Sequence, residues 1–83
     1  MIDADQLKAA RALARMTQDD LAAATGLSAQ TIKRMESIGT EKSSAGNVQA
    51  VQRALEAVGV VFIPENGGGA GVRLAKPRGQ SNP

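Results

Sequence analysis

The stretch TQDDLAAATGLSAQTIKRME, Thr17 to Glu36, constrains the fold more tightly than any other part of the chain. Thr17 reads as a helix N-cap with Asp20 three residues on, which predicts a short helix over Gln18 to Thr25, anchored by Leu21. Gly26 sits where a left-handed residue would end that helix. Leu27 is an apolar connector, and Ser28 caps a third helix running from Ala29 to about Ser37. Two short capped helices meeting at a tight turn that contains glycine have the geometry of a helix-turn-helix.

The flanks supply the rest of a small helical domain. Asp3 with Gln6 resembles a capping box, and Leu7, Ala10, Arg11 and Ala14 recur at helical spacing, predicting a first helix over Ala4 to Arg15. Asn47 reads as the cap of a fourth helix, whose apolar stripe is Val48, Val51, Leu55 and Val58, with Gly59 ending it. Val60 to Ile63 is a β-branched and aromatic run, the strongest strand signal present. The fold expected is mainly α: four helices followed by a C-terminal β-hairpin or strand arm.

At 83 residues the chain is one small domain, and a domain of this size is marginal without disulfides, metals or a partner subunit. There is no Cys and no His. That removes disulfides, the commonest transition-metal ligands, thiol nucleophiles and the usual general base. No enzyme, cofactor or metal site is therefore expected, and a homodimer is the remaining source of stability. No apolar run approaches the ~18 residues of a membrane span and no signal-peptide pattern opens the chain, so the expectation is a cytoplasmic protein without membrane contact. A net charge of +2 is too small to argue for nucleic acid by itself.

The third helix carries the functional signal. Ile32 and Met35 define its inward side, and at about 100° per residue the opposite side presents Gln30, Lys33, Arg34 and Ser37, with Ala29 and Thr31 flanking. Arg can bond bidentately to guanine and Gln to adenine in the major groove. Lys33 suits a phosphate or a guanine. Gln18, opening the second helix, can offer its amide and the adjacent helix N–H groups to a phosphate. Ordinary solvated side chains on a surface helix would show the same residues.

The segments TQDDLA, TGLS, TIKRME and the downstream ALEAVGV together resemble the Cro/C1-type, or XRE-like, helix-turn-helix family of lambdoid phage repressors. The resemblance covers about residues 5 to 60. It implies a lambda-repressor-like helical DNA-binding domain over residues 1–59, acting mostly as a dimer on pseudo-palindromic double-stranded operators. It implies that Gln18 clamps a phosphate, and that Ala29, Gln30, Thr31 and Arg34 occupy base-reading positions. It also implies a structural ion pair between Arg11 and Glu36, which explains an Arg in the inward stripe of the first helix. Lys42, Ser43 and Ser44 fall where such domains present further phosphate contacts, although a solvated loop is the alternative. Ala29 can offer a base only its methyl group. The loop SIGTEKSSAG lacks the proline of many relatives. Thr17 to Lys42 holds three basic residues and four acids, so binding should rest on placed contacts and backbone amides.

After Gly59 comes ENGGGAGVRL, residues 65 to 74. A phosphate loop would need Lys-Ser or Lys-Thr and a helix after its glycines; Val72, Arg73, Leu74 and then Pro77 follow instead. The better reading is a β-hairpin over residues 60–75, with glycines supplying the positive φ angles of its turn. Its apolar residues Val60, Val61, Phe62, Ile63, Val72 and Leu74 are candidates for dimerisation, since a lone hairpin is barely stable in water. Folding back onto the fourth helix of the same chain is the alternative. Residues 76–83 read as a disordered basic tail, in which Arg78 could touch a DNA backbone. Two functions follow: a homodimeric transcriptional repressor, or an antitoxin that binds a toxin protein and represses its own operon.

Overall fold

Four side chains start the four helices of the computed structural model, which describes residues 1–77. Asp3 Oδ1 accepts the Gln6 N–H at 2.7 Å while the Asp3 N–H donates to Gln6 Oε1 at 3.0 Å, opening α1 (Ala4–Leu13). Thr17 and Asp20 exchange the same pair of bonds, both 2.9 Å, and open α2 (Gln18–Thr25). Ser28 Oγ accepts the Thr31 N–H at 3.1 Å ahead of α3 (Ala29–Ile38). Each device satisfies N–H groups that the helix leaves without a backbone partner.

The fourth start differs from the sequence expectation. α4 spans Ala45–Ala57, and its cap is Ser44, whose Oγ accepts the Asn47 N–H at 3.2 Å. Asn47 is thus the residue being capped. A second difference lies at the end of α1. It stops at Leu13, with Arg15 left-handed at φ 56 and the Met16 N–H bonded to the Arg11 carbonyl at 3.0 Å. Between α3 and α4, Gly39 at φ 109 leads into a single 3-10 turn, Thr40–Lys42. There Thr40 is buried, and its hydroxyl donates to the Ile2 carbonyl at 2.7 Å, tying the N-terminus to the loop.

The helices enclose one core. Leu7, Leu21, Ile32, Met35, Val48, Val51 and Leu55 are fully buried, joined by Ile2, Ala10 and Val60. The stripes read from α1 and α3 face inward as their periodicity requires. Val58 does not: it is 54 % exposed because α4 has ended, and Gly59 at φ 98 then turns the chain. Val60 takes the core place that the α4 stripe assigned to Val58.

Beyond that turn, β1 (Val60–Ile63) and β2 (Gly71–Leu74) form an antiparallel hairpin pairing Val60 with Leu74, Val61 with Arg73, Phe62 with Val72 and Ile63 with Gly71. Strand alternation sets Val60, Phe62, Val72 and Leu74 on one face and Val61, Ile63 and Arg73 on the other. On the first face Val60, Phe62 and Val72 pack against this chain's own core. Both strands lie on α1, and β1 also meets α4. Gln6 completes the join: its Nε2 donates to the carbonyls of Ile63 and Gly71, each at 3.1 Å. Within the glycine run Gly67 alone has a positive φ, at 85°, so one glycine meets the steric demand and the others only lengthen the loop. Of the tail, Lys76 and Pro77 follow β2, whereas residues 78–83, including Arg78, lie outside the described residues.

Candidate nucleic-acid interface

α2 and α3 owe their mutual orientation to a few side chains. Gly26, left-handed at φ 77, ends α2 with its N–H on the Ala22 carbonyl at 2.9 Å. Thr25 Oγ1 donates to the Leu21 carbonyl at 2.9 Å and accepts the Leu27 N–H at 3.2 Å, which secures the turn. Leu21 from α2 and Ile32 and Met35 from α3 are wholly buried. With these fixed, α3 cannot rotate about its axis without exposing Ile32 or Met35.

The opposite side of α3 is therefore determined. Gln30, Lys33, Arg34 and Ser37 are exposed, while Ala29 and Thr31 are half-buried beside them. Among the described residues neither Lys33 nor Arg34 takes part in an ion pair. Their charges and donors face solvent, available to base edges or phosphates. Thr31 is less available: its hydroxyl and that of Ser28 share a hydrogen bond of 2.8 Å.

Three of the residues assigned to phosphate contact lie on the loop that precedes α4. Lys42 is exposed on the 3-10 turn, Ser43 is half-buried, and Ser44 is exposed. Ser44 Oγ already accepts the Asn47 N–H, which leaves its O–H as the group able to donate outward.

Gln18 and Glu36 meet in the centre of the unit. Arg11 from α1 grips the Glu36 carboxylate with two bonds, Nε to Oε2 at 2.8 Å and Nη2 to Oε1 at 3.0 Å, and its Nη1 donates to the Met16 carbonyl at 3.0 Å. The Glu36 side chain is 6 % exposed and that of Arg11 is 24 % exposed. The hydrogen bond that Arg11 donates to Glu36 raises the Arg11 pKa above its ordinary value; burial pulls it down, and the Glu36 charge adds to the rise. Gln18 Nε2 donates to the same Glu36 Oε1 at 3.1 Å. That last bond has no signal in sequence spacing, because Gln18 and Glu36 belong to different helices. Two of the four acids in the unit are thus already engaged, Glu36 by Arg11 and Gln18 and Asp20 by the Thr17 N–H.

No cluster of metal-ligating side chains occurs among the described residues. No helix among them is long and apolar enough to cross a membrane. Comparison with curated proteins finds no match. A family model described as helix-turn-helix matches residues 7–60, from the fourth residue of α1 through α4 to the first residue of β1. With four helices, a polar face of α3 turned outward and this match over more than half of its length, the chain belongs to the Cro/C1-type helix-turn-helix family of DNA-binding transcriptional regulators.

Proposed function

We propose that the protein is a homodimeric, sequence-specific repressor that acts in the cytoplasm by occupying a pseudo-palindromic operator. The observation that carries this reading is the solvent face of α3, where Gln30, Lys33 and Arg34 stand opposite the buried Ile32 and Met35. Arg34 and Gln30 read base edges, with Ala29 and Thr31 making close contact beside them. Lys33, Lys42, Ser43, Ser44 and Gln18 hold the phosphate backbone and set the register of the helix in the groove. The neutral to slightly acidic balance of the unit supports a mode that relies on placed donors over a broad positive field.

Dimer formation uses the hairpin, but a smaller part of it than its apolar content suggests. Val60, Phe62 and Val72 are committed to the chain's own core. That leaves the outer face, Val61 and Ile63, for a second copy, while Leu74 lies at the edge of the inner face beside Val58; Ile63 is 38 % exposed and Val58 54 %. Removing residues 60–83 would open the core at Val60 and confuse folding with assembly. The sharper test is Val61→Lys with Ile63→Lys, followed by mass in solution. A monomer that keeps its helical signal supports the interface; an unchanged dimer sinks it.

Selection of duplexes from a random pool by the purified chain, followed by footprinting, tests the operator reading. A recovered two-fold motif is expected. Copurification with a tightly bound second protein encoded beside it would move the assignment to an antitoxin.

A further inference from the structure

We infer that Glu36 is a positioning residue for DNA binding: it fixes the amide of Gln18 and so couples the phosphate clamp on α2 to the base-reading helix α3. The inference rests on the reading of this face as a DNA interface and deepens it. Its basis is the three-residue relay of Arg11, Glu36 and Gln18, in which one carboxylate receives bonds from two other helices.

A free glutamine at the start of a helix has no preferred way round; its amide can turn either the carbonyl or the N–H₂ group toward the neighbouring helix. A carboxylate removes that freedom because it only accepts hydrogen bonds, so the Nε2 end of Gln18 must face Glu36. One of its two hydrogens is used at 3.1 Å, and among the described residues no acceptor takes the other. Gln18 is half-buried, so this second donor lies at the boundary between the core of the unit and solvent. Caps at Thr17 and Asp20 leave the N–H groups of Gln18 and Asp19 without partners among the described residues, next to the same amide. A phosphate oxygen is the acceptor that this set of neutral donors fits.

The relay also explains why an acid is tolerated on the recognition helix. A bare carboxylate here would repel a phosphate backbone. Arg11 neutralises it with paired bonds, and Gln18 covers the oxygen that Arg11 Nη2 shares. Glu36 lies on α3, Gln18 on α2 and Arg11 on α1, so a shift of any one helix would misalign the donor.

The experiment separates positioning from simple support of the fold. Replacing a buried ion pair by apolar residues of similar size often leaves a fold intact. Arg11→Met with Glu36→Leu therefore removes the acceptor without stranding a charge. The probe is the duplex that the parent chain selects from a random pool, with thermal unfolding followed in parallel. The folded apolar pair should bind about tenfold more weakly, the loss expected for one hydrogen bond to a charged group. Adding Gln18→Ala to it should cost little more, whereas Gln18→Ala alone should cost about the same tenfold. In the Arg11→Met background, Glu36→Gln restores an acceptor oxygen and should recover most of the loss relative to Glu36→Leu. Because Gln18 is neutral, these losses should persist unchanged as salt is raised, unlike those of a lysine contact.

A folded apolar pair that binds as the parent does, or losses that simply add, would overturn the inference while leaving the DNA-binding reading intact. A parent chain that retains no duplex overturns both. Should the apolar pair not fold, the Arg11→Met, Glu36→Gln chain decides: a full tenfold cost of Gln18→Ala there supports the relay, and no cost refutes it.

Discussion

The helix-turn-helix and the C-terminal hairpin are held by different kinds of interaction. In the first, every helix start is closed by a side chain three residues from its partner, and Leu21, Ile32 and Met35 are removed from water altogether. In the second, only Val60 is buried, and its polar tie is a single side chain, Gln6, reaching residues 57 and 65 positions away. Local bonds and a filled core give the recognition unit its rigidity. The hairpin is an accessory whose position depends on long-range contacts, and such elements open first in native-state fluctuations.

The largest effect should come from the core of the recognition unit. Leu21→Ala removes a wholly buried side chain between α2 and α3 and should cost about 3 kcal/mol, within the range for cavity-creating substitutions. Chemical denaturation measures it, and DNA affinity should fall with the folded fraction. If Leu21→Ala instead weakened the hairpin amides selectively in hydrogen exchange, the division into a rigid unit and an accessory would be wrong.

Next are Arg34→Ala and Gln30→Ala. Each should weaken specific DNA binding by about 1–3 kcal/mol with no change in unfolding midpoint, since both side chains are exposed. Binding-site selection with each variant should show relaxed preference at different base positions. Parent-like affinity in both would refute the assigned face.

Gln6→Ala follows, at about 1–2 kcal/mol, for the carbonyls of Ile63 and Gly71 that lose a donor. The bond that the Asp3 N–H donates to Gln6 Oε1 in the capping box goes as well. Hydrogen exchange should quicken across 60–74 more than across α2 and α3. Uniform quickening would show instead that the hairpin and helices unfold as one unit.

These differences track what could be read from the chain. The bounds of α2 and α3 were legible because Thr17, Gly26 and Ser28 act within three residues of themselves. The exposed face of α3 followed from periodicity for the same reason. Asn47 misled because it too is a good cap; Gly46, a poor helix former, stands just before it, and Ser44 prevails only because Ala45 and Gly46 are nonetheless helical. Gln6 showed only its local role, the bond to Asp3, since the carbonyls it also serves belong to the far end of the sequence. The direction in which the hairpin folds was likewise a tertiary matter. Folding back onto the fourth helix was the alternative its apolar residues offered, but nothing in the chain showed that α1 would share in covering the hairpin.

The smallest effect tests the junction that leads into the recognition unit. Arg15 is left-handed at φ 56, in a region costing an L-residue roughly 1–2 kcal/mol. Glycine reaches that conformation without a Cβ penalty, although it loses more backbone entropy on folding. Arg15→Gly should therefore stabilise the chain slightly, by about 0.5 kcal/mol, as a glycine does after a helix end. Arg15 is exposed and in no ion pair among the described residues, so little is lost by removing it. The gain is the opposite of what Gly26→Ala should give in the same experiment, because there the native residue already suits φ 77. A destabilised Arg15→Gly chain would mean that the arginine stem packs on Met16 or Thr17 strongly enough to hold the turn. The local device closing α1 would then be a side chain, as at the helix starts, and not the backbone alone.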